Sequence, residues 1–240
     1  MIKVVLCGYG QMGKLLHAAI SKRCDMETVM IVDSTNVKEL YLRCPKVDLI
    51  IDFSHPYMLS LMQDYVKTSG CALLSGTTGY DGDQLHVLKQ LSHQTRVMYS
   101  ANYSLGIAVL LQAVKNITPI LKNTFDMEIV ELHHRHKQDA PSGTALSIKE
   151  AMDPHHQYSS VYGRYALNES REKEIGIHAV RGGNAAGEHH VLYLGDDETL
   201  ELKHTANSRN IFVQGALTCA KWLMKQPNGY YTMEQMIKGE

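Results

Sequence analysis

The chain has 240 residues, 24 Lys and Arg against 25 Asp and Glu, and 44% hydrophobic side chains, enough for a sizeable core in one large domain or two small ones. Its net charge of -1 excludes a global attraction to nucleic acid or to an anionic membrane surface, so any electrostatic specificity is local. Cys7, Cys24, Cys44, Cys71 and Cys219 are scattered without a CxxC pair, and no apolar run nears the roughly 18 residues of a membrane span; a soluble, cytoplasmic protein with reduced thiols is expected.

The first segment, "IKVVLCGYGQMGKLLHAAI", is an apolar run, a glycine cluster and an apolar pattern at helical spacing: strand, tight turn, helix. Gly8, Gly10 and Gly13 satisfy G-x-G-x-x-G, whose missing side chains let the backbone approach a pyrophosphate at a helix amino terminus. The next strand, "TVMIVD", ends at Asp33, 20 residues beyond Gly13, where a carboxylate can accept both hydroxyls of an adenosine ribose. Ser34 in place of an arginine favours NADH over NADPH, while Lys38 stays available to a 2′-phosphate.

Strand and helix then alternate through "VDLIIDFS", a helix opened by Pro56, "CALLSGTTGY", a helix near Asp83 to Leu91, and "RVMY". Five such strands imply a Rossmann-type, doubly wound parallel sheet in an α/β fold, with one abbreviated helix between Asp33 and Val47. Ligands bind beyond the carboxyl ends of such strands, where "DFSHP", "GTTGY" and "SANYS" fall.

From Leu105 the pattern becomes a long helix to about Leu121, strand "FDMEIVELHH", a helix from Ser142, an irregular stretch over 153–174, and strands "IGIHAVR", "EHHVLYLG" and "TLELKHT". The last two join at a Gly195-Asp196-Asp197 hairpin turn. A second, α+β domain with a mixed or antiparallel sheet is expected over 105–207. The helices "IFVQGALTCAKWLMKQ" and "TMEQMI" return to the first, giving a discontinuous dinucleotide-binding domain of 1–104 plus 208–240.

The stretch "ELHHRHKQDAPSGTAL" concentrates the titratable groups. Strand alternation sends His133 and His134 to opposite faces, Lys137 follows in a loop, and Ser142 can cap a helix whose first turn, Gly143 and Thr144, offers N–H groups to a carboxylate. Together these suit a small acidic substrate and an acid/base step. A solvated basic loop is the plain alternative; a metal site is disfavoured, because adjacent strand histidines diverge and no thiol or acid is spaced to complete a set.

The same stretch resembles the signature of the 4-hydroxy-tetrahydrodipicolinate reductase (dihydrodipicolinate reductase) family. "GYGQMG", "IDFSHP", "GTTGY", "SANYSLG", "IGIHAVRGGNAAGEH" and "GYYTMEQMI" occur in that family's order. The resemblance implies a two-domain, tetrameric enzyme of lysine and diaminopimelate synthesis, passing hydride from NADH or NADPH to a cyclic dicarboxylate. It implies His133 as the acid/base residue and Lys137 as proton donor, with His134, Gly143 and Thr144 on the substrate. Gly8, Tyr9, Gly10, Gln11, Met12, Gly13 and Asp33 would hold the dinucleotide, together with Gly76, Thr77 and Thr78 and with Ser100, Ala101, Asn102 and Tyr103 near the nicotinamide. Cys7 replaces a glycine frequent in the family, and the loop "YGRYALNESREKE" keeps Arg164 and Arg171 without the expected intervening glycines. The other readings are a dehydrogenase of an open-chain amino acid or semialdehyde, and a dinucleotide-sensing module without catalysis. Neither needs a lysine beside a carboxylate receptor.

Overall fold

The computed structural model describes residues 1–43, 46–165 and 170–239. Cys44, read above as a reduced thiol, and residues 166–169 of the arginine-bearing loop lie outside the described residues. Two compact units emerge: Met1–Leu105 with Asn210–Glu240, and Gly106–Arg209.

The first unit is built on β1 (Ile2–Cys7), α1 (Gln11–Ile20), β2 (Met26–Val32), α2 (Glu39–Arg43), β3 (Leu49–Asp52), α3 (Met58–Ser69), β4 (Ala72–Ser75), α4 (Gly82–Leu91) and β5 (Arg96–Tyr99). With a late strand β11 (Gly229–Tyr231) at one edge, its strand order is β11-β5-β4-β3-β1-β2, every pairing parallel. Strands buried on both faces read as continuous apolar runs, and β3 and β4 are buried at every residue. Val5, Ile50, Leu73 and Val97 face α3 and α4 through Leu59, Met62, Val66, Leu88 and Leu91. The alternate residues meet the other face, where α1 and α7 (Asn210–Leu223) pack on each other and α7 reaches β4 and β5.

Two expectations need correction here. The sheet has six strands rather than five, because β11 (Gly229–Tyr231) adds beside β5 before α8 (Met233–Lys238). Three residues at an edge are too short for any periodicity to register. The helix read as opening at Pro56 starts at Met58, after a turn in which Met58 N–H donates to His55 O at 2.9 Å.

The second unit contains α5 (Leu105–Leu121, all but its first residue), β6 (Asp126–His133), α6 (Gly143–Met152), β7 (Ser159–Tyr162), β8 (Glu174–Arg181), β9 (Gly187–Leu194) and β10 (Thr199–Ala206). The sheet order is β10-β9-β6-β8-β7, parallel at β6-β8 and β7-β8 and antiparallel elsewhere, hence mixed. The stretch 153–174, expected to be irregular, thus carries edge strand β7, where Ser159 and Tyr162 are exposed and Ser160 and Val161 half-buried, with no alternation to read. Ile107, Leu110 and Val114 of α5 and Ala145 and Ile148 of α6 pack on Met127, Ile129, Ile175, Ile177, Val191 and Tyr193. Each fully buried aliphatic side chain there contributes about 1.5–3 kcal/mol.

A tight joint closes the first unit, since a Cβ at Gly215 of α7 would lie 1.6 Å from the Tyr103 carbonyl oxygen. Glycine to alanine in a helix interior ordinarily gains about 1 kcal/mol. Gly215→Ala is instead expected to lose about 1–3 kcal/mol by overpacking, read as a lower midpoint of thermal unfolding; a midpoint at or above the parent's contradicts the joint.

Candidate active site

In the first unit the order in which strands are added reverses between β1 and β3, and the turns after both strands meet there. Gly8 has φ +89°, a left-handed value that favours glycine, and a Cβ on it would lie 2.6 Å from Phe53 O. Gly13 lets α1 close on β1, since its Cβ would meet Gly8 O at 2.1 Å. Gly10 differs: it precedes the first residue of α1, and no atom lies within 4 Å of where its Cβ would stand. The N–H groups of Gln11, Met12 and Gly13 open the helix beside that space, so the chain fits a dinucleotide pyrophosphate. Tyr9 leans away, its hydroxyl 2.9 Å from His17 Nδ1.

Asp33 follows β2 on the surface, and its carboxylate accepts from the Thr35 hydroxyl at 2.6 Å and the Thr35 N–H at 2.8 Å. Those two bonds hold its carboxyl below the usual carboxylate range, keeping it an ionised acceptor at the surface. Thr78 and Ala101 are exposed. Tyr103 is buried and donates its hydroxyl to Ser75 O at 2.9 Å, so only its backbone faces the Ser100 turn, where Ser100 Oγ donates to Asn102 O at 2.6 Å.

Beneath this surface lies a residue that sequence reasoning passed over. Asp52, the last residue of β3, is fully buried and accepts from Ser75 Oγ at 2.8 Å, Thr77 Oγ1 at 2.8 Å and Tyr80 Oη at 3.0 Å, and from Ser54 Oγ. One carboxylate thereby ties the Phe53 turn to the turn of Gly76, Thr77 and Thr78, and Thr77 Oγ1 in turn accepts from Ser54 N–H at 2.9 Å. "DFS" and "GTT" carried the signal, as an acid and hydroxyls at the ends of neighbouring strands. Cys7 lies against the same group; burial first and then the Asp52 charge push its thiol far up, so it stays protonated.

The second unit gathers the histidine stretch around another buried carboxylate. Glu131 and His133 are two apart on β6 and share the core-facing side. The fully buried Glu131 accepts from His133 Nδ1 at 2.6 Å, Ser142 N–H at 2.9 Å, and Arg181 Nη1 and Nη2 at 2.8 and 2.7 Å. Burial works to raise its pKa, but these donors outweigh it and hold the carboxyl below the usual glutamate value. His134 leaves the sheet just past β6, its N–H donating to Ala185 O at 2.9 Å, and burial then Arg209 and His136 keep its pKa below the ordinary histidine value. Arg135 and His136 are exposed.

Lys137 Nζ donates to both oxygens of Asp139, at 2.7 and 2.9 Å. Asp139 is held below the usual carboxylate range, first by its bonds from Lys137. Ser142 caps α6 by accepting from Ala145 N–H at 3.2 Å, leaving Gly143 and Thr144 to open the helix. Among the described residues no three His, Cys, Asp or Glu side chains form a metal-binding group.

Family models described as dihydrodipicolinate reductase, N-terminus, and dihydrodipicolinate reductase, C-terminus, match residues 2–103 and 106–237. The chain belongs to the dihydrodipicolinate reductase family. Relatives named 4-hydroxy-tetrahydrodipicolinate reductase include that of Brachyspira hyodysenteriae, 39% identical over 98% of this chain and 100% of the relative. That of Clostridium novyi is 36% identical over 100% of both chains. A solved structure described as dipicolinate-bound dihydrodipicolinate reductase from Paenisporosarcina sp. TG-14 matches with TM-score 0.78 over 97% of each chain at 20% identity, which shows the shared fold. The family's "IGIHAVRGGNAAGEH" segment supplies Arg181, Gly187 and His189 to the second unit's cluster, and none of these was singled out from the sequence as a site residue.

His189 sits 5.2 Å from His133, ring to ring and edge-on, with Nε2 3.0 Å from Ser142 Oγ and Nδ1 without a hydrogen-bond partner among the described residues. Burial first, then the neighbouring His133, push its pKa down to about 4. In the unfolded chain a histidine protonates near pH 6.5. The folded state therefore loses stability as pH falls from about 6.5 to about 4, and this group adds no further slope below that. The loss is on the order of 3 kcal/mol. Urea unfolding across that range should show a shallower decline for His189→Gln than for the parent; parallel curves would contradict a neutral buried His189.

Proposed function

We propose that the chain catalyses NAD(P)H-dependent reduction of 4-hydroxy-tetrahydrodipicolinate to tetrahydrodipicolinate, with loss of water, in lysine and diaminopimelate biosynthesis. Besides family membership, one observation carries the reading: the Asp139 carboxylate rests on Lys137 Nζ, two bonds from one ammonium. A carboxylate already sits on the lysine assigned as proton donor, and a substrate carboxylate would take its place there. Thr144, beside Gly143 in the first turn of α6, adds its N–H and hydroxyl, and His134 contacts the other end of the dicarboxylate.

When bound, the dinucleotide supplies hydride to the ring. Gln11, Met12 and Gly13 would hold its pyrophosphate through backbone N–H groups, Asp33 would take the adenosine ribose, and the turn at Gly76 to Thr78 would complete the dinucleotide site with Ser100 to Tyr103 near the nicotinamide. Asp33 followed by Ser34 favours NADH. Lys137 delivers a proton as negative charge develops on the ring, its ammonium stabilising that charge before the proton moves. His133 exchanges a proton through Nε2.

The enzyme works as a homotetramer in the cytoplasm. Supporting assembly, Val130, Leu132, Val180, Leu192 and Leu194 alternate to the sheet face opposite the one that α5 and α6 cover, with Val180 43% and Leu194 36% exposed. No helix among the described residues is long and apolar enough to cross a membrane.

Freshly generated substrate, followed by loss of NADH or NADPH absorbance in separate reactions, tests the assignment directly. Oxidation with NADH favoured is expected, and no oxidation of either overturns it. Lys137→Ala should cut turnover by about 10²-fold or more while NADH binding stays nearly intact; unchanged turnover removes its role. Sedimentation should give a tetramer, and a monomer at working concentration contradicts the assembly.

A further inference from the structure

The "ELH" and "HAVRGGNAAGEH" segments build more around His133 than the proposed chemistry uses. We infer that Glu131 is the positioning residue of His133, holding its imidazole at Nδ1 while Gly187 clears the space at Nε2. The inference rests on the reading of His133 as the acid/base residue.

Glu131 is 0% exposed and its four donors come from three places: His133 on the same strand, Arg181 on β8 and Ser142 at the cap of α6. An ionised carboxylate only accepts, so Nδ1 must carry the proton facing it. That leaves Nε2 as the nitrogen free to exchange a proton with substrate. Arg181 spans both carboxylate oxygens, and a carboxylate so paired is a poor base. Glu131 therefore orients the ring and steadies its protonated form without taking the proton.

The opposite end of the ring is as closely determined. A Cβ at Gly187 would lie 2.7 Å from His133 Nε2, and Gly187 has φ +152°, a backbone value that side chains rarely adopt. Arg181 Nη2 also donates to Asp139 O at 2.6 Å, so the group that compensates Glu131 also holds the loop on which Lys137 pairs with Asp139. A single ion pair thus places both proposed proton-handling residues.

The test compares Glu131→Gln, His133→Gln and the double variant, measuring kcat, the KM for the cyclic substrate and NADH affinity. Glu131→Gln should lower kcat by about 10–100-fold with NADH affinity unchanged, and should abolish the Nδ1-protonated imidazole signal of His133 in the ¹⁵N spectrum of histidine-labelled enzyme. The double variant should be no slower than His133→Gln alone. An impaired His133→Gln beside a fully active Glu131→Gln overturns the inference, as does an equal Glu131→Gln penalty in both backgrounds. Should His133→Gln turn over like the parent, the acid/base reading itself fails and takes the inference with it. Gly187→Ala leaves the Glu131–Arg181 pair in place and reports on the clamp if Glu131→Gln does not fold. It should lower kcat with NADH affinity kept; parent-like kcat overturns the clamp.

Discussion

A carboxylate without water must have its charge and lone pairs met by the protein, and the Glu131–Arg181 pair is where the second unit meets that demand. The pair joins β6 to β8, and the carboxylate also receives the α6 cap and His133. Replacing one partner would leave the other's charge uncompensated, a loss of about 3–5 kcal/mol for a buried pair. The cost of burying Glu131 is offset by donors from elements distant in sequence, so the proposed catalytic groups are held by the same contacts that complete the fold.

The first unit solves a similar problem differently. Asp52 is as buried as Glu131, yet its partners are the hydroxyls of Ser54, Ser75, Thr77 and Tyr80. Hydroxyls are short donors, so they draw the turns after β3 and β4 close together. They also bring no counter-charge to the region where a dinucleotide would approach. On the other face of the second sheet a third acid, Glu128, binds His178 at 2.8 Å and pairs with Arg171 and Arg164, and Gly176 leaves the room its carboxylate occupies. The two arginines kept in the loop that departs from the family pattern therefore anchor it to β6, where burial raises the Glu128 pKa and these partners bring it below the ordinary value.

Glu131 and Glu128 sit three apart on one strand, and that spacing alone assigns them to opposite faces. What each face meets is not written at that distance. Arg181 lies 50 residues beyond Glu131 in sequence, and it arrives because parallel pairing sets Arg181 beside His133. Gly187 looks like one more loop glycine until β9 pairs with β6 and points it at the imidazole.

Periodicity and turn chemistry by themselves determined the alternation of strands and helices, the glycine turn with Asp33 at the next strand's end, and the Ser142 cap. All of these depend on neighbours a few residues apart. Edge strands β7 and β11 escaped because three or four residues carry no period, and their place is set by the strand they join. The Asp52 and Glu131 networks were decided only in three dimensions, because a buried carboxylate takes whichever donors the sheet register brings within about 3 Å, and register belongs to the pairing of strands rather than to either strand.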